Sequence, residues 1–249
     1  MAGHSKWKNI KHKKAASDAF KGKVFSKIAK EIVVAARHGG GDPGQNITLR
    51  AVIQKARAAN MPADNIERAI KRGTGEAAGA ALEEIVYEGF APGGVSIVAV
   101  CLTDNKNRTA SEVRFAFTKH GGNLAQQGSV MRNYKRKGFL LVAAAGVDED
   151  KLIEVALEAG AEDVNREGDF FEVTSDPAHY PALAEALGKA GIKAAESEIG
   201  LIPDLEVPVT DKEKGANIIK FIEALEELDD VQNVYTNANI DDAVMEAAG

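Results

Sequence analysis

The chain has 249 residues, 45% of them apolar and 27% charged, with a formal net charge of −6 and one cysteine. These values describe a globular chain long enough for one or two domains and exclude a disordered one. The lone Cys101 excludes a disulfide framework or a CxxC zinc site, and the absence of a long apolar run or signal-peptide core excludes a membrane span or secretion signal by these criteria.

The N-terminal stretch 3–30 reads GHSKWKNIKHKKAASDAFKGKVFSKIAK, with nine lysines against one acid, Asp18. A segment of this kind repels itself and gains most from a dense row of negative charge, such as a nucleic-acid backbone. Trp7 and Phe20 lie among the lysines, and such rings can stack on unpaired bases. A solvated basic arm is the plain alternative. The rest of the chain argues against it: residues 1–76 hold 16 Lys+Arg and 6 Asp+Glu, net +10, while residues 77–249 hold 15 and 31, net −16. The pattern is a basic working face on an acidic body. The candidate phosphate and base contacts are Lys6, Trp7, Lys8, Lys11, His12, Lys13, Lys14, Lys21, Lys23, Lys27 and Lys30.

Helical periodicity places a first helix over residues 17–38, with Phe25, Ile28, Ile32, Ala35 and Ala36 inward; Gly39-Gly40-Gly41 stops it. A second covers 47–59 through Leu49, Val52, Ile53 and Ala56. A third opens at Pro62 and closes before Gly73, burying Ile66, Ala69 and Ile70. Its Arg68, Lys71 and Arg72 stay outside and join the basic face. Three short amphipathic helices bury their stripes against each other. Residues 1–76 are therefore predicted to form a basic helical domain, with linker at 77–81.

Strands are predicted at 84–90 and 95–102, a helix at 107–120 and a strand at 129–135. Cys101 falls in the second strand and is expected to be a buried structural thiol. From Gly138 a new unit begins: strand 139–144, helix 148–159, hairpin strands 163–165 and 170–174, a helix from Pro177, and strand 192–199. That order, β-α-β-β-α-β, is the ferredoxin-like split unit. The remainder offers strand 205–209, helix 211–228 and strand 231–235. This last piece is too short for a domain, so it is assigned to residues 82–136. The predicted fold class is α+β: an N-terminal three-helix domain, a discontinuous α/β domain at 82–136 plus 201–249, and an inserted ferredoxin-like α/β domain at 137–200.

Catalytic signatures fail. Gly73-Thr74-Gly75 with Gly79 has the wrong spacing for a dinucleotide fingerprint and follows a helix. There is no phosphate-binding P-loop, no nucleophile elbow and no zinc-protease motif. The histidines lack ligand spacing. Asp104-Asn105 with Asn107-Arg108 reads as turn and cap chemistry, with a phosphate contact by Arg108 as the alternative. Glu223, Glu226, Glu227, Asp229 and Asp230 read as a solvated helix face. The sequence therefore predicts no enzyme, no catalytic residue, no metal, no cofactor, no small-molecule substrate and no membrane partner, in a cytoplasmic setting.

Several phrases together resemble the YebC/PmpR family. They are Gly3-His4-Ser5-Lys6-Trp7, Ile10-Lys11-His12-Lys13, Asn60-Met61-Pro62, the run Asp64 to Gly73, Tyr87-Glu88-Gly89 with Pro92-Gly93-Gly94, and Thr103-Asp104-Asn105 with Asn107-Arg108. Further along come Gly121-Gly122-Asn123-Leu124, Gly128-Ser129-Val130, Arg136-Lys137-Gly138 and Val231-Gln232 with Val234-Tyr235. Arg132-Asn133 depart from the mostly apolar or aromatic residues expected there. The resemblance implies one helical and two α/β domains around a cleft. It also implies one of two functions: a cytoplasmic DNA-binding transcriptional regulator, or a translation factor that binds ribosomal RNA and relieves stalling at proline runs. Lysines serve phosphates better than base edges, which fits irregular RNA at least as well as duplex DNA.

Overall fold

The computed structural model describes residues 18–78, 81–241 and 244. It begins with three helices, α1 (Asp18–Gly39), α2 (Ile47–Ala58) and α3 (Ala63–Thr74). Their shared core holds Ile28, Ile32, Ala35 and Ala36 from α1, Leu49, Ile53 and Ala56 from α2, and Ile66 and Ala69 from α3. Phe25, Val52 and Ile70 pack against it half-buried. Asn46 fixes the turn between α1 and α2. Its Oδ1 accepts from Leu49 N at 3.0 Å as the α2 cap, and its Nδ2 donates to the Ala35 and Gly40 carbonyls at 2.8 Å.

Next come β1 (Glu83–Phe90), β2 (Ser96–Thr103), α4 (Lys106–Lys119) and the short β3 (Asn123–Leu124). The second half of the chain supplies β8 (Val207–Val209), α7 (Lys212–Glu226), β9 (Val231–Thr236) and β10 (Ala238–Ile240). These make a four-stranded antiparallel sheet in the order β3-β1-β2-β9, and a separate parallel pair β8-β10. Strand β2 is buried on both faces, which explains its unbroken apolar run. Ile97, Ala99 and Cys101 point into the core beneath α4 and α7. Val98 on the other face packs with Val130, Tyr134 and Tyr235.

Between β3 and β8 lie β4 (Tyr134–Ala143), α5 (Glu149–Glu158), β5 (Ala161–Glu167), β6 (Phe170–Ser175), α6 (Tyr180–Lys189) and β7 (Ala194–Pro203). The sheet order β5-β6-β4-β7 is that of the split β-α-β unit, with α5 and α6 over the Leu140, Val142, Phe171 and Val173 face. The architecture is α+β, as the sequence predicts.

Several predicted elements move. No strand runs through residues 129–133; a short 3₁₀ turn, Met131–Asn133, stands there. The reason is Glu88, 3% exposed on β1, whose carboxylate accepts from the amides of Gly128, Val130 and Met131 at 2.6, 2.8 and 2.8 Å. Three convergent N–H donors bend the backbone around one charge. Burial alone would raise the Glu88 carboxyl, but the bonds from Gly128, Met131 and Val130 outweigh it and hold the group below its ordinary range. Strand β4 then runs unbroken from Tyr134 and β7 as far as Pro203, paired Tyr134 to Pro203. Both strands belong to the second sheet, and Tyr134 and Leu201 near their ends pack with Val98 and Tyr235 of the first. Tyr134 Oη meets Ser96 Oγ at 2.7 Å, tying the start of β4 back to β2.

Candidate functional site

The sequence places the site on a basic N-terminal face. Lys6, Trp7, Lys8, Lys11, His12, Lys13 and Lys14 lie outside the described residues. Lys21 falls on the first turns of α1, with its side chain also outside that set. On α3, Arg68 and Lys71 are exposed, each engaged by a neighbour on its own helix. Arg68 donates to the Asp64 carbonyl at 3.3 Å and to Asn65, and Lys71 pairs with Glu67 at 2.7 Å. Exposed pairs of this kind hold weakly and release readily to another anion. Arg72 is half-buried, its Nε enclosed without a hydrogen-bond partner among the described residues.

Lys23, Lys27 and Lys30 follow a helical i, i+4, i+7 stripe on α1 and face the end of α7. Lys23 Nζ donates to the Glu227 carbonyl at 3.2 Å, Lys27 to the Glu226 carbonyl at 2.8 Å, and Lys30 to the Asp229 carbonyl at 2.8 Å. Helix α7 carries no basic residue in its own last turn. Its C-terminal carbonyls lack intrahelical donors and its macrodipole ends negative there, so α1 supplies the cations that α7 lacks. These three lysines, predicted to meet phosphate, are engaged within the chain.

Behind them sits Asp230, read from the sequence as part of a solvated acidic face. That reading is corrected: Asp230 is 1% exposed. Its Oδ1 accepts from Lys30 Nζ at 2.7 Å. Its Oδ2 accepts from Arg108 Nη2 at 2.7 Å and Nε at 3.2 Å, and lies 2.7 Å from Thr109 Oγ1 and 3.1 Å from Thr103 Oγ1. Burial works against the charge, but the hydrogen bonds from Lys30, Arg108 and Thr109, then the Lys30 charge, bring the carboxyl down to about 2. Arg108 is raised above its ordinary value, first by Asp230 and then by Asp104.

The local sequence builds this arrangement directly. Asn105 caps α4, its side chain accepting from Arg108 N at 3.1 Å, so the cap reading holds. The cap sets Arg108 and Thr109 on the first turn, facing the residue that precedes β9. Arg108 also spans to Asp104 at 3.1 Å. The flagged polar cluster is therefore one half of a buried ion-pair network, and Asp230, hidden in a run of acids, is the other half. No periodicity distinguishes Asp230 from Asp229; only the turn between α7 and β9 does.

A second junction lies on β9. Asn233 Nδ2 donates to Tyr235 Oη at 2.7 Å, and the Tyr235 hydroxyl is raised, first by burial and then by Glu198 on β7. The charges of Glu31 on α1, which raises it, and Arg136 on β4, which lowers it, act on it more weakly. Among the described residues no group of His, Cys, Asp and Glu is placed to hold a metal ion, and no helix is long and apolar enough to cross a membrane.

The fold and this junction define an α+β protein with two antiparallel sheets, in which a three-helix unit meets the end of α7, beside the first sheet, through a row of lysines. Comparison with known proteins makes the assignment specific. Residues 5–76 match the profile of the TACO1/YebC protein N-terminal domain, and residues 82–238 that of the TACO1/YebC second and third domain. A probable transcriptional regulatory protein of Desulforapulum autotrophicum is 51% identical over 99% of this chain and 100% of its own. One of Thermobifida fusca is 53% identical over 98% of each. The crystal structure of a conserved hypothetical protein from Aquifex aeolicus superposes with a TM-score of 0.83 at 47% identity, covering 90% of this chain and 93% of that one. The chain belongs to the TACO1/YebC family.

Proposed function

We propose that this protein is a cytoplasmic DNA-binding regulator of transcription that holds phosphates through its Lys-rich N-terminal region and catalyses no reaction. The observation that carries the reading is the charge split, net +10 over residues 1–76 against −16 over the rest. A body of that sign repels nucleic acid, so contact is confined to one face. Relatives that match over their whole length are named probable transcriptional regulatory proteins, which supports regulation as the role. In this reading Lys6, Lys8, Lys11, Lys13 and Lys14 make the primary phosphate contacts, with Trp7 and His12 among them and Arg68, Lys71 and Arg72 alongside. Lys21, Lys23, Lys27 and Lys30 extend the row. We further propose the domain division 1–76, 82–136 with 201–249, and 137–200; the separate cores beneath the two larger sheets support it.

A second reading, binding to ribosomal RNA in translation, is favoured by the residue types. The stretch offers lysines and one tryptophan, which suit phosphates and unpaired bases, and few Arg, Asn or Gln for base edges. Crosslinking in growing cells, followed by sequencing of the attached nucleic acid, separates the two. Discrete promoter DNA supports transcription regulation, and ribosomal RNA near the peptide-transfer region supports translation. Either signal should vanish when the five lysines from Lys6 to Lys14 are changed to Glu, with the melting temperature nearly unchanged. Binding that does not weaken as salt rises overturns both readings, because phosphate contacts release counterions.

A further inference from the structure

The contact between α1 and α7 is built from the same lysine row that the proposed function assigns to phosphate. Along α1 it is graded. Lys23 is exposed and reaches the Glu227 carbonyl at 3.2 Å, Lys27 is half-buried with the Glu226 carbonyl among its partners at 2.8 Å, and Lys30 holds both the Asp229 carbonyl at 2.8 Å and the buried Asp230 carboxylate at 2.7 Å. The weak end is the one nearest in sequence to the cluster Lys6 to Lys14. The acceptors named are three backbone oxygens, at and just past the C-terminus of α7, and one carboxylate, each a partial or full negative charge. An ammonium turned towards these acceptors has fewer donors and less freedom to meet a phosphate, and a phosphate carries a full charge where a carbonyl carries a fraction of one.

We propose that this contact is a latch opened by a polyanion: a nucleic-acid backbone takes Lys23, then Lys27, then Lys30 from the end of α7 and releases the three-helix unit from the first sheet. The proposal rests on the phosphate reading of the row and adds that binding and closure compete for the same ammonium groups. Asp230 is the catch. It retains Arg108, Thr103 and Thr109 when Lys30 leaves, so the body keeps its buried charge neutralised while the helical unit moves. Binding is then linked to opening, and the apparent affinity is the intrinsic affinity reduced by the fraction of molecules that are open.

The test uses the full chain with spin labels at Arg57→Cys on α2 and Lys220→Cys on α7, both exposed positions. Cys101 is buried and stays unlabelled. The probes are a 20-nucleotide single-stranded RNA and a 20-base-pair DNA duplex. Free protein should give one short distance, and a saturating probe should bring up a longer one. Asp230→Asn removes the catch without removing a lysine. It should populate the longer distance without probe and bind the probe about three- to tenfold more tightly at low salt. An unchanged distance at saturation overturns the latch, as does weaker binding by a folded Asp230→Asn chain. If that variant does not fold, the wild-type distances decide alone. A wild-type chain that binds neither probe overturns the phosphate reading itself. Inorganic polyphosphate then decides the latch separately, opening supporting it and an unchanged distance overturning it.

Discussion

Asp230→Asn also has a consequence for stability that follows from the geometry. The substitution keeps the shape and one acceptor oxygen but removes the charge that Lys30 and Arg108 face at 2.7 Å. The Asp230 carboxyl sits at about 2 rather than 3.8. At about 1.4 kcal/mol for each pH unit, the folded state favours the ionised over the neutral side chain by roughly 2–3 kcal/mol. Arg108 is 45% exposed and keeps Asp104, so it recovers solvent on losing Asp230; Lys30 is 18% exposed and recovers less. The expected loss at pH 7 is therefore about 2–4 kcal/mol. Because the folded value lies below the unfolded one, this stabilisation is fully present above about pH 4. It is lost as the pH falls towards 2. Urea unfolding followed by circular dichroism should show wild type and variant well separated at pH 7 and converging to within a few tenths of a kcal/mol near pH 2. A loss under about 0.5 kcal/mol at pH 7, or a gap that persists undiminished at pH 2, refutes the account of Asp230 as a charge held by its neighbours.

Glu88→Gln leaves the three amides of Gly128, Val130 and Met131 with a neutral acceptor and should cost about 1.5–3 kcal/mol, read by thermal melting, with the gap closing in acid because the Glu88 carboxyl lies below its ordinary range. Gly89→Ala places a Cβ against the Phe117 ring and the Asn123 carbonyl oxygen, so β3 must give way, at about 1–3 kcal/mol. Gly22→Ala on α1 meets nothing within 4 Å and should instead stabilise by about 0.5–1 kcal/mol; equal effects at the two sites would contradict the packing described. The Cys101 thiol, pushed up to about 12 by burial, should react with a thiol reagent only after unfolding, and rapid labelling of the native chain would place it at the surface instead.

The helices and most strands were legible because their apolar spacing is local. Ile28, Ile32 and Ala36 repeat at helical intervals, and the unbroken run of β2 reflects burial on both faces. What escaped the sequence depends on partners far along the chain. Within residues 129–133 only Val130 and Met131 carry apolar strand character, and Glu88, about 40 positions earlier, collects the amides of Gly128, Val130 and Met131 into a turn. The extra strand β3 is two residues long and exists because Gly89 lets Asn123 approach β1. For the site, the charge of Lys23, Lys27 and Lys30 was plain, but its destination was not. A lysine stripe carries no mark of whether it faces solvent, phosphate or another helix.

The charge asymmetry has a use within the chain, and that use changes how the proposed phosphate contact must be tested. Lysines of the basic unit neutralise the acidic C-terminal end of α7 in the body, so raising salt weakens an internal contact as well as any external one. A salt series on nucleic-acid binding then reports the difference between phosphates gained and internal partners lost. If Lys23, Lys27 and Lys30 exchange α7 for phosphate, changing them to Gln removes acceptor and competitor contacts together. The slope of log affinity against log salt should move little for each residue. Changing Lys6, Lys8 or Lys11, which the proposed function assigns to phosphate, should lower it by about 0.7–0.9 each. Equal slope changes for both groups would mean that the α1 stripe is free of α7 in solution. The contact between α1 and α7 would then be too weak to couple binding to the position of the helical unit.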